Sequence, residues 1–120
     1  MKIEPCKKLI RDLDLNPGDE YTQDWTCEAA DYRKLEMFLS YFEEIFLKSE
    51  EKRALIELIL DSYESYVKIF DFNLKYSKKI KQILKKEYDL FKDIIQYWSC
   101  EGEELENSFL ITPLVRSVME

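Results

Sequence analysis

Residues 49–70 read SEEKRALIELILDSYESYVKIF, and this stretch decides the fold class of the chain. Its apolar residues recur three and four positions apart, which is the spacing of one face of an α-helix. At 100° per residue these positions fall within an arc of about 140°. The predicted buried face consists of Leu55, Ile56, Ile59, Leu60, Tyr63, Tyr66, Val67 and Phe70. Ser49 followed by two acids predicts the start of the helix, because a hydroxyl caps the first turn and carboxylates favour its positive end.

Two more helical periods precede this segment. Pro5 suits the first position of a short helix that we expect to end near Leu15. Its apolar face would hold Cys6, Leu9, Ile10 and Leu13. Asp31 predicts the cap of a second helix that ends near Lys48. Its buried side is rich in aromatic residues and would hold Leu35, Phe38, Leu39, Phe42, Ile45 and Phe46.

Two further helices are predicted after residue 70. Asn73 is a candidate cap for a helix that continues to Trp98. About 25 residues at about 1.5 Å each make it the longest helix of the prediction, nearly 40 Å long. Its buried positions would be Ile80, Ile83, Leu84, Phe91, Ile94, Ile95 and Trp98. Thr112 and Pro113 predict the cap and first position of a final short helix that ends near Met119.

These patterns predict an all-α protein with one domain over residues 1–120. Each helix has one apolar side and the connections between helices are short. We therefore expect an antiparallel helical bundle of three main helices, with a short helix at each end of the chain. The chain has only 2 Gly and 3 Pro, which excludes turn-rich β architectures and glycine-rich phosphate loops.

The chain contains no histidine, which excludes Ser-His and Cys-His catalytic pairs and imidazole metal sites. We therefore expect a protein that is not an enzyme and that needs neither a cofactor nor a metal. Its three cysteines are widely spaced and favour reduced thiols in a cytoplasmic protein. No apolar run reaches the length of a signal peptide or a membrane span, so we expect no membrane association. A net charge of −7 disfavours nucleic acid and favours a basic protein partner.

Two irregular segments combine acids with aromatic side chains, namely residues 19–28 (DEYTQDWTCE) and 97–106 (YWSCEGEELE). Large rings supply contact area at low entropic cost, and flanking carboxylates steer a basic partner. We expect Trp25 to anchor such a partner. The predicted partner-binding residues are Asp24, Trp25, Glu28, Glu101, Glu103 and Glu104, with Asp61 and Glu64 as a second patch. In the alternative interpretation, both tryptophans fold back over the core and the acids only solvate the loops.

Two helix faces suggest other chemistry. Glu57, Asp61 and Glu64 recur at helical spacing and could hold magnesium, as in an all-α nucleotide hydrolase. This stripe lies opposite the predicted buried arc, which favours a solvated face. A second row could lie along phosphates and consists of Lys78, Lys81, Lys85 and Lys92. Asp89 and Asp93 interrupt that row and it includes no arginine, so a solvated face is again favoured.

Four short strings resemble small bacterial immunity proteins of polymorphic or contact-dependent toxin systems. They are Gln23-Asp24-Trp25, the run 57–63 (ELILDSY), Tyr97-Trp98-Ser99 and the run 109–116 (FLITPLVR). The resemblance implies a helical cytoplasmic protein that neutralises a toxin by covering its active or substrate-binding surface. Toxins that cut nucleic acid are basic, so an acidic partner would associate with them rapidly. A phage-type inhibitor or adaptor of a nucleic-acid enzyme would share the same surface properties and remains an alternative.

Overall fold

A computed structural model describes residues 7–15, 29–100 and 102–119, apart from the side chains of Lys7 and Leu105. The helices within these ranges are α1 (Lys7–Asp12), α2 (Leu35–Glu44), α3 (Ser49–Phe70), α4 (Leu74–Lys86), α5 (Tyr88–Ser99) and α6 (Thr112–Val118). No residue of these ranges lies in a β-strand, so the all-α class is confirmed. Contacts divide the chain into two compact units, Met1–Ser65 and Tyr66–Glu120. A single domain and a three-helix antiparallel bundle stay predictions.

In the first unit, apolar residues in and just after α1 are buried, and polar contacts join the end of α1 to α2 and to the turn that precedes α2. Leu9 and Leu13 are buried, as their spacing predicts. The Tyr41 hydroxyl of α2 donates a 2.8 Å hydrogen bond to Asp12 at the end of α1. Lys34 then donates from Nζ to the carbonyl of Asp14, at 2.9 Å, just after that helix. The predicted start of this helix, at Pro5 and Cys6, lies outside the described residues.

The start of the second predicted helix is confirmed, but its end is wrong. Asp31 accepts a 2.9 Å bond from the backbone N–H of Arg33 and so caps a 3-10 turn, Tyr32–Lys34, which leads into α2. The helix ends at Glu44, because Ile45 adopts an extended conformation. Leu47 is buried as a result, whereas Ile45 and Phe46 leave the predicted core and are 39% and 89% exposed.

Helix α3 begins and ends where the sequence predicts, but its cap and its buried face differ. The backbone N–H of Lys48 donates to Glu51 Oε1 at 2.9 Å. The Lys48 carbonyl accepts from Lys52, so Lys48 is the cap and Ser49 is the first helical residue. Leu58 and Ser62 are fully buried although both lie outside the predicted arc. Between residues 51 and 63, burial thus covers about two-thirds of the helix circumference.

In the second unit, the helix predicted over residues 74–98 is two helices. The Asn73 cap is confirmed, since its side chain accepts a 3.1 Å bond from the N–H of Tyr76. The break falls at Glu87, whose φ of −122° and ψ of 46° are not helical. Helix α6 packs against both α4 and α5. Helix α6 has seven residues and is only about 10 Å long. The two halves of one straight helix of about 25 residues could therefore not both pack along it.

With this break, α3 is the longest described helix, at 22 residues. The final helix also starts differently from the prediction. Thr112 does not cap it, because Ile111 holds that position and the Thr112 hydroxyl donates to the Trp98 carbonyl at 2.8 Å. Pro113 lies in the first turn as predicted. The contact made by Thr112 joins the start of α6 to the end of α5.

Candidate partner-binding surface

The second acid–aromatic segment forms an ordered surface after α5. Gly102, Glu103, Glu104 and Glu106 are all exposed, and we call these four residues the acidic turn. Glu103 and Glu104 are therefore placed where a partner could reach them, as the sequence predicts. Glu101, which was predicted to act with them, lies outside the described residues.

The path of the acidic turn is set by two left-handed residues. Cys100 ends α5 with a φ of 49°, and Gly102 follows with a φ of 86°. The N–H of Glu103 donates to the Cys100 carbonyl at 2.9 Å and closes the turn. A Cβ at position 102 would meet no heavy atom within 4 Å. Glycine is therefore favoured there by its backbone conformation and not by lack of space.

Arg116 of α6 fixes the acidic turn to the end of α5. Its Nε donates to the Ser99 carbonyl at 2.7 Å. Its Nη2 donates to the carbonyls of Cys100, at 2.9 Å, and Glu103, at 2.7 Å. A cation on the last carbonyls of a helix is favoured by the helix dipole. Sequence reasoning missed this residue; the available signal was that Arg116 is the only arginine after residue 53.

The exposed ring at the end of α5 is Tyr97, whereas Trp98 is buried, as its position in the helical period predicts. Trp98 is only 4% exposed, whereas Tyr97 is 66% exposed. The ring of Phe109 lies 4.3 Å from that of Trp98 and 5.6 Å from that of Tyr97. Tyr97 and Phe109 thus pack against the buried Trp98 ring, and Phe109 also contacts the exposed Tyr97 ring. The interpretation of a tryptophan folded over the core is thus confirmed for Trp98.

An open depression of about 420 Å³ adjoins the acidic turn. It is lined by Ser99, Gly102, Glu103, Arg116 and Met119. Met119 is partly exposed and gives the depression an apolar wall, while Glu103 supplies the acid on its lining. Arg116 supplies a positive charge on the same lining, so the depression holds one acid and one base.

The remaining predicted site residues belong to α3 or fall outside the described residues. Asp61 and Glu64 belong to the first unit, where they are half-buried on α3. With Glu57 they occupy the narrow strip of that helix that burial leaves open. Residues Asp24, Trp25 and Glu28 lie outside the described ranges, so the anchor role of Trp25 stays a prediction.

The carboxylates of α3 do not gather into a metal site. Within residues 7–15, 29–100 and 102–119, no three His, Cys, Asp or Glu side chains are placed to hold a metal ion. A helical stripe at this spacing points its acids outward from one element. A magnesium site would need a second set of oxygen ligands opposite it.

Three acidic groups of the first unit have shifted pKa values with structural causes. Burial, together with the hydrogen bond to Asp12, raises the pKa of Tyr41 to about 12. The same hydrogen bond lowers the pKa of Asp12. The Arg33 side chain, which donates to Asp31, lowers the pKa of that carboxyl. These groups join helix ends to one another, so their shifts support structural contacts and not a reaction centre.

No helix of the described ranges is both long enough and apolar enough to cross a membrane. Neither a protein-family model, a curated protein nor a solved structure matches this chain.

Proposed function

We propose that this chain is a cytoplasmic, non-catalytic binding protein. Its proposed role is that of an immunity protein, which neutralises a bacterial toxin by covering the toxin's basic active or substrate-binding surface. One observation carries the proposal: two exposed carboxylates, Glu103 and Glu104, stand on a turn that Arg116 holds in place, and the exposed ring of Tyr97 lies on the helix that leads into it. The antiparallel arrangement of the main helices and the roles of Asp24, Trp25, Glu28 and Glu101 belong to the same proposal.

Each part of this surface has a physical role in binding. Exposed carboxylates attract a basic partner at a distance and raise the association rate. Tyr97 supplies a large amphipathic contact whose side chain has few rotatable bonds. The three hydrogen bonds of Arg116 order the turn before the partner arrives, so less conformational entropy is lost on binding.

The test begins with the reading frame next to this gene. If it encodes a toxin, its C-terminal domain should arrest growth when expressed alone, and co-expression of this protein should restore growth. A variant with Glu103→Lys and Glu104→Lys should protect less well, because it removes the steering charge. The matched control reverses Glu44 and Glu50, two exposed acids of the first unit. A neighbouring metabolic gene, or full protection by the Glu103→Lys/Glu104→Lys variant, would contradict the proposal.

A further inference from the structure

A second surface of the molecule exposes apolar side chains at the turn between α3 and α4. Four such residues occur within six positions, and each is between 48% and 82% exposed. We call them the apolar tip: Ile69, Phe70, Phe72 and Leu74. Scattered exposed hydrophobic residues are ordinary, but four of them this close together along the chain make a candidate interaction site. All four belong to the second unit.

The apolar tip is held by a well-bonded turn. Asp71 adopts a left-handed φ of 71°, and its Oδ1 accepts a 2.7 Å bond from the N–H of Phe72. The Asn73 side chain donates to the Tyr66 hydroxyl at 3.3 Å. The Tyr66 ring lies 5.0 Å from that of Phe70. The exposure of the tip is therefore a property of a formed turn.

Lysines surround the apolar tip. Helix α4 carries six lysines and no acid. Its exposed positions are Leu74, Lys75, Lys78, Gln82, Lys85 and Lys86. With Lys68 just before the tip, residues 66–86 hold seven lysines against one acid, Asp71, and so carry a net charge of +6. The buried side of α4, at Ile80, Ile83 and Leu84, directs these lysines outward.

We propose that the apolar tip and the lysines of α4 dock on an anionic lipid surface, with the tip inserted among the headgroups. Apolar side chains beside a lysine face are the composition of an interfacial membrane contact. Each lysine near an anionic membrane adds to the attraction. This inference is independent of the proposed partner binding.

Two other occupants fit the composition less well. A nucleic acid could stack its bases on Phe70 and Phe72, but Ile69 and Leu74 cannot stack, and residues 66–86 contain no arginine to read base edges. A specific protein interface needs about 800 Å² from each partner, which four partly exposed side chains do not supply. A bilayer needs no matching shape, so a small apolar tip suffices.

The expectation of no membrane association rested on the absence of a long apolar run, which does not bear on contact with a lipid surface, and the net charge of the whole chain is negative. That charge is not evenly distributed, because residues 66–86 carry +6 within a chain of −7. Exposed charges more than about 8 Å away are largely screened at physiological salt. The lysines of α4 would therefore meet a lipid surface with little opposition from distant acids.

The test is binding to vesicles of phosphatidylcholine alone and of phosphatidylcholine with 30 mol% phosphatidylserine, measured by co-sedimentation of the full chain. We expect binding to the anionic vesicles that weakens as salt is raised, and little binding to the neutral ones. Phe70→Ser with Phe72→Ser should weaken it about 30-fold, because each half-exposed ring loses its insertion. Lys78→Glu with Lys85→Glu should weaken it at least tenfold.

Two further variants make the test sharper. Asp71→Asn removes the one acid of the tip while keeping a residue that tolerates a left-handed φ, so binding should strengthen severalfold. Phe46→Ser is the matched control, because Phe46 is 89% exposed in the first unit and should not affect binding. If the double phenylalanine variant fails to fold, Leu74→Ser replaces it, since Leu74 is 82% exposed.

Three outcomes would overturn the inference. They are an absence of binding to anionic vesicles at low salt, equal binding to neutral vesicles, and equal losses from Phe46→Ser and from the tip variants. Nucleic acid or a protein that binds the tip while vesicles do not would also overturn it. Because Glu103 and Glu104 take no part, failure here leaves the proposed partner binding standing.

Discussion

Replacement of Arg116 by alanine should destabilise the protein by about 2–3 kcal/mol. Hydrogen bonds from a charged donor contribute roughly 1.5–3 kcal/mol each when buried, and less when exposed. Two of the three acceptors, the carbonyls of Ser99 and Cys100, are part-buried, and the third, at Glu103, is exposed. We therefore count about 1 kcal/mol for each of the first two and less for the third. The loss also leaves the end of α5 without its cation.

The assay is urea denaturation followed by circular dichroism, with thermal melting as a second measurement. For a chain of this length, about 2–3 kcal/mol corresponds to a fall of roughly 8–12 °C in Tm. The stability of Arg116→Lys should lie between those of the parent protein and Arg116→Ala, because an ammonium group keeps the charge but lacks the forked donors of a guanidinium. Arg33→Ala is the control and should leave the stability of the protein nearly unchanged, since its pair with Asp31 is exposed.

The same variant should loosen the acidic turn before the whole protein unfolds. A protease that cleaves after glutamate should cut Arg116→Ala faster at Glu103 and Glu104 than it cuts the parent protein, under conditions where both are folded. The reasoning would be refuted if Arg116→Ala kept its stability within about 0.5 kcal/mol and its turn stayed equally resistant to proteolysis.

Substitutions at three other positions test separate contacts. Gly102→Ala should cost about 1 kcal/mol in urea denaturation, because a φ of 86° strains a residue with a Cβ; an unchanged midpoint would show that the turn can adjust. Asn73→Ala should cost about 1 kcal/mol through loss of the cap of α4, and Asn73→Asp should cost less; equal losses would contradict the cap. Folding raises the pKa of Tyr41 from 10.0 to about 12. The contribution of its protonated hydroxyl to the free energy of unfolding is therefore complete below pH 10 and is lost as the pH rises towards 12. Tyr41→Phe should abolish that decline in melts across this range, and a decline that persists would place its cause elsewhere.

The sequence predicted the elements whose signals are local. Helix α3 has a sustained apolar period and acids in its first turn, so both of its ends were placed correctly. The Asn73 cap is also local, because an asparagine side chain needs only the N–H three residues later. The break at Glu87 could not be predicted in this way. The apolar period continues through it without glycine or proline, and its physical reason is the packing of α6 against both halves.

The candidate surface also combines features with local sequence signals and features that depend on tertiary contacts. Runs of acids in an aperiodic segment favour solvent, so the exposure of Glu103 and Glu104 followed from composition. The helical period also placed Trp98, and not its neighbour Tyr97, on the buried side of α5, where Phe109 packs against it. Arg116 was missed because its partners are backbone carbonyls, and every residue carries one. A contact of this kind leaves no pattern in the sequence.

The most direct test of the proposed function is the association rate constant with the neighbouring toxin domain, measured by stopped flow at several salt concentrations. If Glu103 and Glu104 steer the encounter, the parent protein should associate at least about tenfold faster at low salt than at 0.5 M salt. The Glu103→Lys/Glu104→Lys variant should be slower at low salt and nearly insensitive to salt, whereas the Glu44→Lys/Glu50→Lys control should behave more like the parent. Identical salt dependence of the parent and the Glu103→Lys/Glu104→Lys variant would contradict the role of the acidic turn.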